Sequence, residues 1–291
     1  MAGGVVAIYE GAGGPDYPVV PTLLNNRGQV AKVTSRYTEA EAQIKRSLAI
    51  REKVLGPDHP DVARSLNNMA DLHERQNRYA DAEPLYRRAL SIRERSVGVD
   101  HPDTATSTNN LANLLRLDGR ANDALPLLAR LIVTGRAQMR VALPVLYEAQ
   151  RQQLVASGTA LDDALNVIQR GAQSTAASAV NKLAVRLAAG NDRLAELVRR
   201  DQDLGSEADS LDKSILAAVS KDRARRDPVV EQRARERISA IAGERAKLQK
   251  ALSAEFPEYS ALSNPLPLAT KEIQALLSDD EAMVLLAVSE K

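Results

Sequence analysis

Apolar positions recur at helical spacing along most of the chain. From Asp61 to about Gln76, the residues Leu66, Met69, Ala70 and His73 fall three or four apart, on one face of a helix. From Tyr79 to about Glu94, a second stripe holds Ala82, Leu85, Tyr86, Ala89 and Leu90, with Arg93 as a snorkelling edge. Between them lies "QNRY", short enough to fold the two helices antiparallel. The segment "GPDHP" closes one pair and opens the next. Gly56 suits a left-handed helix end, Pro60 a first helical turn, and Asp61 the positive end of the helix dipole. The arrangement is written three times. "GPDHPDVARSLNN" at 56–68 returns as "GVDHPDTATSTNN" at 98–110 and, worn, as "GPDYPVVPTLLNN" from Gly14, with offsets 98 − 56 = 42 and 56 − 14 = 42. A fixed period of this size predicts stacked helix pairs.

Past the third copy the pattern stays helical and the register is lost. From Arg136 to about Thr159 the candidate buried positions are Leu143, Leu146, Ala149 and Leu154. The stretch 159–191 reads as two helices broken near Gly171. A long helix capped by Asn191 or Asp192 then runs to about Lys221, with Leu194, Leu197, Leu204, Leu211 and Ile215 on its seam. Pro228 stops it, and a return helix from Val229 to about Ala254 carries Ala234, Ile238, Ile241, Leu248 and Leu252. This predicts an antiparallel hairpin, imperfectly paired because Asp201 and Arg245 interrupt the seams. Its basic hinge, Arg223, Arg225 and Arg226, is flanked by Asp222 and Asp227 and reads as a solvated loop. After Pro257, Pro265 and Pro267, Thr270 is placed to cap a short helix, and "AMVLLAV" at 282–288 reads as a strand without a sheet to join.

Composition narrows the chemistry. The 291 residues carry a formal net charge of +1, so no global field draws the chain to nucleic acid or anionic membranes. Aromatics make up 3% and there is no Trp, which favours helices packed through aliphatic side chains. The absence of cysteine excludes disulfides, thiolate metal sites and a cysteine nucleophile within these residues. The three histidines belong to the linkers (His59, His101) or to a packing stripe (His73). No metal-ligand spacing, phosphate-cradling glycine loop or nucleophile motif is present, so no catalysis and no cofactor are expected. No apolar run reaches membrane-span length and no signal peptide is read at the start, which points to a cytoplasmic protein.

The stretches "SLNNMADLHERQNRYADAEPLYRRALSIRE" at 65–94 and "STNNLANLLRLDGRANDALPLLARLI" at 107–132 resemble the tetratricopeptide repeat in its 42-residue, kinesin-light-chain form. A poorer copy is "LLNNRGQVAKVTSRYTEAEAQIKRSLAIRE" at 23–52. Small residues stand at the helix crossings: Gly28, Ala70 and Ala112, then Ala40, Ala82 and Ala124. The usual turn glycine is replaced by Ser35 and Asn77 and survives as Gly119. Ala121 stands where the other copies have Tyr37 and Tyr79. "VAIYEGAGG" aligns with "LAIREKVLG", so the chain reads as starting inside a repeat. A second, less specific resemblance is to bacterial CHAT-domain proteins, in which such repeats precede a caspase-like protease. It rests on segments 178–204, 254–268 and 272–288, and no residue matches that family's catalytic pair. The expected fold is all-α: a repeat solenoid, a long antiparallel helical hairpin and one short strand-like segment. The expected divisions are 1–135 for the repeats, 136–190 for a helical transition, 191–256 for the hairpin, and 257–291 for a linker and the start of a truncated CHAT-like domain.

Asparagine forms helices poorly, yet Asn25, Asn67 and Asn109 sit in mid-helix. A carboxamide offers both donor and acceptor, so it can hold a peptide backbone whatever its side chains. The resemblance implies a concave groove lined by Asn25, Gln29, Arg64, Asn67, Asp71, Glu74, Asn109, Asn113 and Arg116. The same asparagines could instead bond the neighbouring unit and stabilise stacking; for Asn26, Asn68 and Asn110 stacking is favoured. The function expected is a scaffold for a peptide or protein partner, without nucleic acid or membrane. The alternatives are the regulatory half of a caspase-like protease and a self-associating element that uses the hairpin or the strand.

Overall fold

A computed structural model of the chain describes residues 6–9, 11, 14, 17, 19–171, 192–219, 227–263 and 267–277. Every regular element among them is helical. The expected strand at 282–288, the basic cluster Arg223, Arg225 and Arg226, and residues 172–191 lie outside the described residues. The chain divides into two units, residues 1–131 with 217–226 and residues 132–216 with 227–291.

The first unit is built from α1 (Val20–Val33), α2 (Tyr37–Leu55), α3 (Pro60–Arg75), α4 (Tyr79–Ser96), α5 (Pro102–Leu117) and the start of α6 (Ala121–Val133). Each pair closes in the same turn. Ser35, Asn77 and Gly119 take left-handed φ values of 58°, 58° and 76°. The next residue's amide reaches back five positions each time, Arg36 to Ala31, Arg78 to His73 and Arg120 to Leu115, at 2.8–2.9 Å. This is a Schellman ending, which satisfies carbonyls that the helix cannot. The linkers are punctuated twice by histidine. The Nδ1 atoms of His59 and His101 accept from the Asp61 and Asp103 amides at 3.1 and 3.0 Å and cap α3 and α5. The worn first copy has Tyr17 there, and α1 starts without a side-chain cap.

Between repeats, Met69 and Leu72 pack against Ala31, Ala40 and Ile44. Two arginines reinforce the junctions. Arg93 is not a snorkelling edge directed at solvent: its Nη1 donates to the Asp103 carbonyl at 2.7 Å and to Ser107 Oγ at 2.9 Å, in the next repeat. Arg51, 42 residues earlier, makes the same two bonds to the Asp61 carbonyl and Ser65 Oγ, at 3.2 and 2.7 Å. Burial lowers both guanidinium pKa values, that of Arg51 to about 10.

The second unit opens with α7 (Met139–Arg151) and α8 (157–171). This is a helix pair closed by the same turn. Gln153 has φ 58° and the Leu154 amide bonds the Ala149 carbonyl at 2.9 Å. The left-handed residues are 153 − 119 = 34 apart here, not 42, so periodicity alone misses it. Leu146 and Ala149 are buried as expected, Leu143 is half-buried, and Leu154 is exposed because it follows the turn.

The helices α9 (Asp192–Val219) and α10 (Pro228–Glu255) follow. Pro228 occupies the first turn of α10, where its missing N–H costs nothing, and Asp227 caps that helix. Ion pairs join Arg193 to Glu255, Arg200 to Glu244 and Glu207 to Arg237. The two seam-interrupting residues bond each other: Arg245 meets both Asp201 carboxylate oxygens at 2.8 and 3.0 Å. Two short helices, α11 (Pro257–Ser263) and α12 (Thr270–Gln274), complete the described residues. The cap position of α12 is Ala269, one residue before Thr270, and its amide bonds Glu272 at 2.7 Å.

Candidate peptide-binding face

The first helices of the repeats, α1, α3 and α5, place equivalent side chains 42 residues apart: Asn25, Asn67 and Asn109; Gln29, Asp71 and Asn113; Lys32, Glu74 and Arg116. The structure links most of them across the junctions. Asn25 Oδ1 accepts from Asn68 Nδ2 at 2.9 Å. Asn67 Nδ2 donates to Ser107 Oγ at 2.9 Å. Asn109, fully buried, donates to the Ala105 carbonyl of its own helix at 2.9 Å. The Lys32 ammonium pairs with Asp71, which also accepts from Arg75. One junction later, Asn113 Nδ2 donates to Glu74 Oε1 at 2.9 Å, and Arg116 Nη2 donates to Asn113 Oδ1 at 3.1 Å. Tyr86 closes this chain of bonds by donating to Glu74 Oε2 at 3.1 Å. Arg64 stands apart, exposed and bonded to Asp61.

Burial pushes the Glu74 carboxyl above the usual carboxylate range, an effect that the Tyr86 and Asn113 bonds oppose. Buried polar atoms normally find hydrogen-bond partners. Among the equivalent side chains named above, three do not: Gln29 Nε2, Asn67 Oδ1 and Arg116 Nε. The arrangement therefore offers two donors and one acceptor. No group of three His, Asp or Glu side chains among the described residues could hold a metal ion.

Sequence reasoning missed Lys32 and Tyr86. Lys32 shares the all-charged position with Glu74 and Arg116, a signal that could have found it. Tyr86 comes from the second helix of a pair, on an apolar stripe, with nothing in its spacing to mark its hydroxyl.

Helix pairs stacked at a fixed interval, each locked to the next by polar bonds, define a helical-repeat protein. The Tetratricopeptide repeat family model matches residues 19–95 and 78–132, and these segments are tetratricopeptide repeats. Such repeats generally mediate protein–protein interaction. A crystal structure of nearly identical tetratricopeptide-like repeats, from a Podospora anserina protein assigned as a kinesin light chain, is similar with TM-score 0.50 and 17% identity, covering 60% of this chain and 85% of that one. This likeness shows the fold alone. The structure of BtubC (BKLC) from P. vanneervenii aligns over 100% of this chain and 96% of its own at 15% identity, with a TM-score of 0.38 that carries no argument. No curated protein matches the chain. No helix among the described residues is long and apolar enough to cross a membrane.

Proposed function

We propose that the chain is a protein-interaction scaffold that holds an extended segment of a partner along α1, α3 and α5. The observation that carries this reading is the set of buried, unpartnered polar atoms at Gln29, Asn67 and Arg116. Leaving such an atom unbonded costs roughly 1–3 kcal/mol. An extended backbone presents N–H and C=O groups alternately and can satisfy both kinds. Arg64 and Arg116 favour acidic side chains beside that backbone. The other proposed parts are a repeat region through about residue 135, a helical transition, a hairpin of α9 and α10, and a C-terminal segment. The proposed setting is cytoplasmic, and the proposed partner is a protein or peptide.

A displayed library of random peptides, selected on the whole chain, supplies ligands for the test. Asn67→Ala should weaken capture of the selected peptides about tenfold and leave helicity intact, because one hydrogen bond of this kind contributes about 1 kcal/mol or more. Asn109→Ala, at a fully buried position, should lower the melting temperature instead. If Asn67→Ala also melts early and binds as before, Asn67 serves stacking and this reading fails.

A further inference from the structure

The segment 267–277 meets α8 through two side chains of that helix, Gln169 and Asp162. Gln169 grips one residue by both backbone groups: its Nε2 donates to the Leu268 carbonyl at 2.9 Å, and its Oε1 accepts from the Leu268 amide at 2.8 Å. Asp162 Oδ1 accepts twice from Thr270, from the amide at 2.9 Å and from the hydroxyl at 2.5 Å. The Thr270 bonds hold the Asp162 carboxyl below the usual carboxylate range, so it is an ionised acceptor at neutral pH. Gln169 and Asp162 are 169 − 162 = 7 positions apart, two helical turns along one face. The amide between the two grips, that of Ala269, donates to Glu272 Oε2 at 2.7 Å within the segment itself. Every amide from 268 to 270 is therefore taken by a side chain. Apolar burial adds little: all residues from Pro267 to Leu277 are exposed or half-buried, and Leu276 is 73% exposed. The four bonds to α8 face water. A segment held this way can leave without unfolding the helix beneath it.

We propose that the α8 face bearing Asp162 and Gln169 is a second peptide-binding site, occupied by the chain's own residues 268–272 until an extended segment of a partner protein displaces them. The resident segment states the chemistry of that partner. Gln169 reads only main chain, so any residue except proline serves at the position of Leu268. Two positions on, Asp162 requires an amide and a hydroxyl together, which calls for serine or threonine. Two further on, a glutamate takes the intervening amide and shapes the segment before it docks, as Glu272 does. No residue of this site belongs to the face on α1, α3 and α5, so the two readings fail separately.

The probe is a fluorescein-labelled peptide with the sequence of residues 267–277, followed by anisotropy on the whole chain. In the parent, the tethered segment competes at high effective concentration. Leu268→Pro combined with Thr270→Val removes the amide that Gln169 accepts and the hydroxyl that Asp162 accepts, and so vacates the site. This released chain should bind the probe at least tenfold more tightly than the parent, with unchanged helicity. If Leu268→Pro lowers helicity, Thr270→Val alone serves as the release. Adding Asp162→Ala and Gln169→Ala to the released chain should weaken binding at least tenfold, and so should valine in place of the threonine of the probe. A released chain that binds no better than the parent, or binding that survives Asp162→Ala with Gln169→Ala, overturns the proposal. So does a parent chain that dimerises in sedimentation and loses the dimer in the Asp162/Gln169 variant, since a second copy would then be the occupant.

Discussion

Arg51 and Arg93 make the same connection at two successive junctions, and each grips a backbone carbonyl as well as a serine. Arg51→Ala removes these donors and leaves buried acceptors unbonded, so it should cost about 2–3 kcal/mol in a urea titration. Arg51→Lys should recover only part of this, because an ammonium cannot reproduce the guanidinium fork. His73 gives the repeats a pH response. Burial, and then the positive charge of Arg78, holds its pKa below the ordinary 6.5, while Glu41 and Asp81 act in the opposite sense. The unfolded chain therefore takes up a proton at higher pH than the folded chain does. Stability should fall as pH drops through 6.5 toward the folded value, with a slope of at most about 1.4 kcal/mol per pH unit. Glu74 has the opposite sign: its folded pKa is raised, so its contribution is present below 4.5 and is lost as pH rises through the folded value. Subtracting the melting curves of His73→Leu isolates the histidine, and Leu115 already occupies the equivalent position one repeat on. A variant with the same slope as the parent would remove His73 from this account.

Helix pairs here share a plan and differ in how well each copy executes it. Ser35 holds a left-handed φ that glycine adopts without strain. Ser35→Gly should raise stability by roughly 0.5–1 kcal/mol, the strain relieved less the added freedom of the unfolded chain, read as a higher melting temperature. Gly28 is the reverse case. A Cβ there would lie 2.5 Å from Ile44 Cγ1 and 3.2 Å from the Ala40 carbonyl. Gly28→Ala should therefore cost about 1–3 kcal/mol, although alanine fills the same crossing at Ala70 and Ala112. The repeats were legible in the sequence because their punctuation is chemical: glycine, proline and histidine recur where the chain turns. The pair α7–α8 was not, because its turn uses Gln153, whose dihedral nothing in the sequence announces, and its interval is shorter. Arg93 was misread because an arginine at a stripe's edge looks the same whether water or the next helix receives it. The candidate site was legible as residue types and not as bonds. Asn67 and Asn109 both open an "NN" pair, but Asn67 reaches Ser107 in the next copy, and at the 34-residue interval of the pair that follows, the counterpart of Ser107 is Val141.

At the scale of the molecule, the two units can be perturbed one at a time. Arg245 is half-buried and bonded to Asp201 through both carboxylate oxygens. Arg245→Ala should weaken the α9–α10 pairing by about 0.5–1 kcal/mol, a solvent-screened value. Hydrogen exchange should then quicken at 192–219 and 228–255 and stay unchanged at 60–117. Quickening in α3 and α5 as well would mean that the units do not open separately. The junction arginines have a mechanical consequence. Each spans from the second helix of one repeat to the opening turn of the next, so tension applied to the ends of 20–131 loads them in series. Under an optical trap that segment should give way in discrete steps, each step the rupture of one arginine latch. Arg51→Ala should lower the force of one step and leave the other in place.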